Sequence, residues 1–210
     1  MIDILLVDDH AMFREGLKQI LGRWSDLRVA GEAGNGVEAL EMVRSDTFSL
    51  VVLDISMPAL SGWNVLSEIK REFPSLPVLI LSMHPEDQYG IRVLRAGAAG
   101  YVSKESAAED LIAAIRKVAG GGRHVSPALA ERLAAELDPA AGQQAHQTLS
   151  NREFQVMGML ASGKSLGEIA DELCLSEKTI TTYRARILEK LQLRNNVELT
   201  HYAIEHRLLD

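Results

Sequence analysis

The chain has 210 residues, of which 47% are hydrophobic and 24% charged, so it can form one or two globular domains. No segment approaches the ~18 consecutive apolar residues of a membrane span, and the N-terminus lacks the basic region of a secretory signal. The single cysteine, Cys174, excludes an internal disulfide and a multi-cysteine zinc site. We therefore expect a cytoplasmic protein without a membrane partner.

The net charge of −7 is unevenly distributed along the chain. Residues 1–122 hold 12 basic and 17 acidic residues, which leaves the remainder close to neutral. Because binding to a polyanion depends on local charge rather than on the total, the C-terminal part can still present a basic face to nucleic acid.

Residues 1–119 alternate apolar, strand-like runs with amphipathic helical stretches. The predicted strands are Ile2–Val7, Leu27–Ala33, Leu50–Leu53, Val78–Leu81 and Gly100–Ser103. The predicted helices are Ala11–Leu21, Gly36–Arg44, Gly62–Phe73, Gln88–Ala96 and Ala107–Ala119. Five such alternations predict an α/β fold in which a doubly wound, five-stranded parallel sheet is covered on both faces, and the apolar runs Ile4–Val7 and Leu50–Leu53 suit strands buried on both faces.

A linker is expected after this region. Gly120–Gly122 ends the alternation, and a helix is predicted over Pro127–Leu137, with its proline in the first turn. The following Asp138–Gln144 is rich in small and polar residues and is typical of a flexible connection. We therefore divide the chain into a first domain at 1–120, a linker at 121–147 and a second domain at 148–210.

The second domain shows only helical patterns and is predicted to be an all-α domain of four helices. Ser150 with Glu153, and Ser165 with Glu168, match the capping box, in which a hydroxyl and a carboxylate satisfy free N–H groups where a helix begins. A third helix is predicted after Ser176, and a fourth over Asn196–His206.

Polar residues follow four of the five predicted strands. Asp8 and Asp9 come after the first strand, Asp54 after the third, Ser82 at the end of the fourth and Lys104 after the fifth. In an open α/β sheet, ligands bind at the carboxyl ends of the strands, so these side chains are expected to converge. Carboxylates bind Mg²⁺, an aspartate can accept a phosphoryl group, and a lysine can neutralise the phosphoryl oxygens.

Each residue also has a plain structural interpretation. Asp8 and Asp9 can form a turn and cap a helix, Asp54 can begin an Asx turn, and Lys104 can be a solvated lysine. The joint arrangement at strand ends, rather than any single residue, favours phosphoryl chemistry.

These residues and their order resemble the receiver domain of two-component response regulators. The matching segments are Leu6–His10, Leu53–Gly62, Leu81–Ser82 and Gly100–Lys104. The resemblance implies a flavodoxin-like fold with Asp54 as phosphoacceptor. It also implies that Mg²⁺ is held by Asp9, Asp54 and the backbone carbonyl of Ser56 with help from Asp8, and that Ser82 and Tyr101 form a switch pair beside Lys104. The sequence departs from the usual pattern at Glu105, where many receivers have proline.

A helix-turn-helix is predicted in the second domain, from Leu166–Leu173, a turn at Cys174–Ser176 and a recognition helix at Glu177–Leu191. Helical periodicity directs Ile180, Tyr183, Ile187 and Leu191 to the core. It directs Lys178, Thr181, Thr182 and Ala185 to the opposite face, with Arg186 at the border. Such a face can contact bases and phosphates, although a small helical domain with a merely solvated face has the same pattern.

Residues 149–210 resemble the LuxR-type helix-turn-helix, through Leu149–Glu153, Gly163–Ala170, Leu175–Ile180 and Ile187–Leu191. Together the two resemblances identify the chain as a member of the NarL/FixJ class of response regulators. They imply base contacts from Thr181, Thr182 and Ala185 and phosphate contacts from Lys178, Thr179 and Arg184. Ala185 departs from the basic residue sometimes found there.

The implied partners are a sensor histidine kinase, double-stranded DNA and, in the phosphorylated state, a second copy of the chain. The last helix, with Val197 or Tyr202, is the implied dimer contact. In this class the unphosphorylated receiver often covers the recognition helix, and phosphorylation releases it.

Two other functions compete with this one. A phosphohydrolase that uses Asp54 as nucleophile would need a second acid two residues on, where this chain has Ser56. A transcription factor with a degenerate receiver would not need the acidic cluster or Lys104. We therefore expect a stoichiometrically phosphorylated regulator and not an enzyme.

Overall fold

The computed structural model describes residues 1–58, 61–84, 86–135, 144–206 and 208–209, except for the side chains of residues 87, 88 and 135. By its internal contacts the chain divides into two compact units, Met1–Arg132 and Leu133–Asp210. Most of the predicted flexible stretch, at 138–143, lies outside the described residues, as do the last two residues of the predicted linker helix.

The first unit is built on a five-stranded sheet. Its strands are β1 (Ile2–Val7), β2 (Leu27–Ala33), β3 (Leu50–Asp54), β4 (Val78–Ser82) and β5 (Gly100–Ser103). Their order is β2-β1-β3-β4-β5, and all four neighbouring pairs are parallel. The predicted α/β fold class is therefore confirmed.

Among the described residues, six helices belong to or begin in this unit. They are α1 (Ala11–Leu21), α2 (Gly36–Ser45), α3 (Gly62–Glu72), α4 (Glu86–Arg95), α5 (Ala108–Ala119) and α6 (Pro127–Ala135). The helix α4 begins two residues before its predicted start, because an acidic residue such as Glu86 is favourable at a helix N-terminus even though it interrupts the apolar periodicity. Every residue of β3 and β4 is buried, as expected for strands covered on both faces.

The compact unit continues beyond Gly120, where the sequence predicts the beginning of a linker. The backbone N–H of His124 donates to the carbonyl of Ala99 at 2.9 Å, and His124 forms a parallel bridge with Gly100 at the edge of the sheet. Farther on, Leu129 of α6 is buried, and its side chain approaches Gly90 of α4. Residues 121–132 are therefore packed on the sheet unit.

The described part of the second unit contains a short 3-10 helix, Ala145–Thr148, and four α-helices. These are α7 (Asn151–Ala161), α8 (Leu166–Glu172), α9 (Glu177–Leu191) and α10 (Asn196–Glu205). Both predicted capping boxes are present, at Ser150 with Glu153 and at Ser165 with Glu168. None of the helices described in either unit combines the length and the apolar character that a bilayer crossing requires.

Candidate functional site

The side chains predicted to converge at the carboxyl edge of the sheet do so. Lys104 follows β5, and its Nζ lies 2.6 Å from Oδ2 of Asp8 and 2.6 Å from Oδ2 of Asp54. The three side chains are nearly excluded from solvent, with exposures of 4%, 4% and 2% for Lys104, Asp8 and Asp54. Three strand ends far apart in the chain therefore deliver a buried ion triad.

The same edge gathers oxygen donors suited to a hard cation. Ligand atoms of Asp8, Asp9, His10 and Asp54 all lie within 4.8 Å of one another. Oδ2 of Asp8 lies 2.6 Å from Nζ of Lys104, and Oδ1 of Asp9 lies 3.1 Å from Nδ1 of His10. Carboxylate oxygens in this arrangement fit Mg²⁺, which binds through one or two carboxylates and keeps several waters.

Burial and charged neighbours together determine the pKa values of Asp54 and Lys104. Removal from water raises the pKa of the Asp54 carboxyl above its ordinary value, and the bond from Lys104 and that from the Ser56 N–H, at 2.9 Å, oppose this effect. For Lys104, burial alone would lower the pKa, but Asp54 and Asp8 outweigh it and raise the pKa. The ammonium form of Lys104 is therefore retained beside the carboxylates.

Ser82 and Tyr101, the predicted switch pair, lie side by side in the interior. Ser82 is fully buried at the end of β4, and its Oγ accepts the backbone N–H of His84 at 3.1 Å. The hydroxyl of Tyr101 donates to the His84 carbonyl at 2.5 Å, and burial raises the pKa of Tyr101. The tyrosine ring therefore already has the inward position that the resemblance associates with an engaged Ser82.

The close contact between the start of α3 and the end of β3 requires a glycine at position 62. A Cβ atom on Gly62, the first residue of α3, would lie 2.2 Å from the Asp54 carbonyl oxygen and 2.6 Å from the Ile55 Cα. Real Cβ contacts are never this short, so the close approach of α3 to the strand end requires glycine. The motif around Asp54 contained this residue, but its spacing alone did not indicate the contact.

In the second unit, α9 presents a polar face that includes most of the predicted DNA contacts. Lys178, Thr181, Thr182, Ala185 and Arg186 are exposed. The hydroxyls of Thr181 and Thr182 donate to the carbonyls four residues earlier, at 2.9 and 3.0 Å. Their oxygen lone pairs and methyl groups remain available to a partner.

Three further residues of α9 are half-buried, namely two of the implied phosphate contacts and one residue that periodicity directed to the core. Thr179 is half-buried and bonds Ser176 at the helix start, at 2.8 Å. Arg184 is half-buried, and its Nε donates to Asn196 of α10 at 2.7 Å. Tyr183, which periodicity directed to the core, is only half-buried and lines a shallow groove together with Lys178 and Arg186.

The two residues predicted on α10 as dimer contacts have different environments. Val197 is 68% exposed, and Ile204, two turns later, is 61% exposed. The hydroxyl of Tyr202 instead lies 3.1 Å from the backbone N and from Nδ1 of His146 in the preceding 3-10 helix.

Comparison with known families agrees with this architecture. The response regulator receiver domain matches residues 4–116, and the luxR family of bacterial regulatory proteins matches residues 147–203. The chain therefore belongs to the NarL/FixJ-class response regulators, in which phosphorylation controls transcription.

Individual relatives match over almost the whole chain. The response regulator UvrY of Escherichia coli (strain K12) is 37% identical over 209 residues, covering 99% of this chain and 96% of UvrY. The response regulator GacA of Pseudomonas aeruginosa is 36% identical, covering 100% of this chain and 99% of GacA. A structure of RcsB from Salmonella typhimurium superposes with a TM-score of 0.69 at 26% identity, covering 96% of each chain. RcsB bound to promoter rprA with the phosphomimetic BeF3− has a TM-score of 0.66 at 27% identity, covering 96% of this chain and 98% of RcsB.

Proposed function

We propose that Asp54 accepts a phosphoryl group from a phosphohistidine of a sensor histidine kinase, and that this modification controls DNA binding by α9. The observation that carries the proposal is the buried triad, in which Lys104 lies 2.6 Å from both Asp8 and Asp54. This geometry supplies a nucleophilic carboxylate and a fixed cation at one sheet edge.

In the proposed transfer, a carboxylate oxygen of Asp54 attacks phosphorus while the bond to the kinase histidine breaks. The leaving imidazole keeps that electron pair and takes up a proton, and the ammonium of Lys104 turns to the phosphoryl oxygens. Asp9, Asp54, the Ser56 carbonyl and Asp8 would hold Mg²⁺, which supplies further neutralisation of the developing negative charge.

The phosphoryl group changes the local charge from −1 to roughly −2 and adds acceptor oxygens. We propose that Ser82 then donates its hydroxyl to a phosphoryl oxygen, which shifts the His84 backbone that Ser82 and Tyr101 both contact. This change biases the equilibrium between restrained and DNA-binding forms. In this proposal residues 1–120 are the receiver, residues 121–147 connect it to the DNA-binding domain, with 121–132 packed on the sheet unit, and residues 148–210 bind DNA.

On DNA, the exposed face of α9 would enter the major groove. Thr181 and Thr182 would accept from exocyclic amino groups or contact thymine methyls, since their hydroxyl protons are engaged within the helix. Ala185 would lie against the bases, while Lys178, Thr179, Arg184 and Arg186 would contact phosphates. Two copies joined through α10 would read two half-sites, and the exposed Val197 and Ile204 support that dimer.

This function places the chain in the cytoplasm, and the phosphorylation is stoichiometric rather than catalytic. The position of the second acid that a phosphohydrolase would use is occupied by Ser56, whose N–H donates to Asp54.

The test is footprinting of promoter DNA by the full chain with and without acetyl phosphate and Mg²⁺, together with mass spectrometry of residue 54. We expect one phosphoryl group per chain and increased protection of DNA. Asp54→Asn should lose both, whereas Asp46→Asn, at an exposed position after α2, should keep both. Phosphodonor-stimulated DNA binding by Asp54→Asn would exclude the proposed function.

A further inference from the structure

The ammonium group of Lys104 has a third neighbour besides the two carboxylates. Its Nζ lies 4.6 Å from the centre of the Phe13 ring, within the range of a cation–π interaction. The Lys104 side chain is only 4% exposed, so water competes little for this contact. Two aspartates and an aromatic face therefore surround the cation.

Phe13 is held firmly by its own element. It lies in the first turn of α1, where its backbone N–H donates to the carbonyl of His10 at 3.0 Å. Its ring also packs against the core cluster of the sheet unit. Since α1 follows Asp8 and Asp9 directly, the ring and the acidic pair form one local framework facing Lys104.

The ring attracts a cation without adding a formal charge. When Asp54 acquires a phosphoryl group, its Oδ2 contact with Lys104 must be replaced by contacts with the phosphoryl oxygens. A third carboxylate beside Lys104 would repel that dianionic group strongly, whereas the face of a neutral ring repels it far less, because a ring quadrupole falls off faster with distance than a full charge. Phe13 thus offers an attraction that adds no formal charge beside the phosphoryl group and that restrains the ammonium on its flexible four-carbon lysine stem.

We propose that Phe13 is a positioning residue for phosphoryl transfer, whose ring face holds the Lys104 ammonium beside Asp54 through the cation–π interaction. The proposal rests on the proposed function of Asp54 and Lys104, and it adds a role for an apolar residue of α1. It requires that the electron density of the ring, and not only its bulk, affects the rate of phosphorylation.

The experiment replaces Phe13 in the full chain by 4-fluoro-, 3,5-difluoro- and 3,4,5-trifluorophenylalanine. Fluorine weakens the negative face of the ring progressively with little change in its shape. We expect the rate of Asp54 phosphorylation by acetyl phosphate and Mg²⁺ to fall stepwise, by roughly three- to tenfold over the series. The same series at Phe48, a buried ring two residues before the amino end of the central strand β3 and therefore at the end of the sheet opposite the site, should leave the rate unchanged.

Two further variants extend the series. Phe13→Leu fills the core without an aromatic face and should be phosphorylated at least as slowly as the trifluorinated chain. Phe13→Tyr restores the face and should approach the wild-type rate. The melting temperature of each variant shows whether the fold is retained, and the fluorinated series keeps the test valid where Phe13→Leu fails to fold.

If the wild-type chain is phosphorylated at Asp54 but the rate is the same for every fluorinated ring, the role of Phe13 is overturned. The phosphoacceptor proposal then remains intact. Absence of phosphorylation in the wild-type chain overturns the proposed function and, with it, the role of Phe13.

Discussion

The two units place their functional residues in opposite environments. In the sheet unit, Asp8, Asp54 and Lys104 come from three strand ends 46 and 50 residues apart in sequence, and their side chains are almost fully buried. In the helical unit, the polar face of α9 comes from a single helix and is exposed. The first site therefore depends on the whole fold, whereas the second depends on one helix and its support.

This difference has an energetic consequence. A charge removed from a buried triad leaves its partners unpaired at low dielectric, which costs several kcal/mol in real proteins. A charge removed from an exposed face affects only a screened interaction with a partner. Substitutions should therefore have large, coupled effects in the sheet unit and small, separate effects on α9.

Of the substitutions outside the buried triad, Gly62→Ala should have the largest effect. Its Cβ would meet the backbone of Asp54 and Ile55 at 2.2 and 2.6 Å, so the strand end or α3 must move. We expect a loss of about 2–3 kcal/mol in the free energy of unfolding. Because the strand end carries Asp54, we also expect phosphorylation to slow by at least about tenfold, as a shift of roughly 1 Å can cost a hundredfold.

Gly16→Ala is the matched control, since a Cβ on this residue of α1 meets nothing within 4 Å. Relief of the helix cost of glycine should stabilise the chain by about 0.5–1 kcal/mol without changing phosphorylation. Denaturant unfolding and acetyl phosphate kinetics measure both quantities. Equal stability and equal rates for the two variants would show that the α3 contact does not constrain the site.

A smaller effect is expected from Lys178→Ala on the exposed face of α9. Loss of one phosphate contact should weaken binding to all DNA sequences alike and reduce the slope of log affinity against log salt by about 1. Fluorescence anisotropy at several salt concentrations measures both changes. Lys18→Ala removes an equal charge from the sheet unit and should leave the slope unaltered, and a sequence-selective loss for Lys178→Ala would indicate base recognition instead.

The sequence predicts the strand ends and the recognition helix well, because apolar periodicity and capping residues act locally. Lys104, for example, follows a buried strand of a parallel sheet, so it lies at the same end of the sheet as Asp8 and Asp54. Its contact with both acids at once, and with the Phe13 ring, depends on side-chain conformations that spacing does not encode. The burial of His146 against Tyr202 likewise arises from packing between elements distant in sequence.

Glu153→Gln tests how far the ion pair between Glu153 of α7 and Lys190 of α9 stabilises the helical unit. Burial alone would raise the pKa of Glu153, but hydrogen bonds from Lys190 of α9, at 2.6 Å, and from the Ser150 N–H, at 2.7 Å, hold that pKa below its ordinary value. The carboxylate therefore stabilises the fold above the ordinary glutamate pKa of about 4.3, and this stability is lost as pH falls through the lowered value. At pH 7 the variant should be about 1–2 kcal/mol less stable.

The difference between wild type and Glu153→Gln should shrink as the pH falls below about 4. Glu189→Gln, at an exposed position of the same recognition helix, should match the wild type throughout. Thermal unfolding between pH 3 and 7 measures the difference. A difference in stability between wild type and Glu153→Gln that stays constant over this pH range would mean that the charge of Glu153 does not stabilise the helical unit.

The smallest expected effect is a gain in stability at Cys174, in the turn before α9. Cys174 has φ = 52°, in the left-handed region, where a residue with a Cβ atom is destabilised by about 1–2 kcal/mol. The side chain is exposed, so its removal loses little packing. Glycine relieves that strain but increases the entropy of the unfolded chain, by about 0.4–1 kcal/mol. We therefore expect Cys174→Gly to stabilise the helical unit by about 0.5 kcal/mol, measured by amide hydrogen exchange of α8 and α9.

Cys174→Ala removes the thiol and keeps the Cβ, so it should bring no gain. Equal protection in the two variants would mean that the turn tolerates a Cβ without strain, and that this exposed part of the molecule is even less constrained than the comparison with the buried site implies.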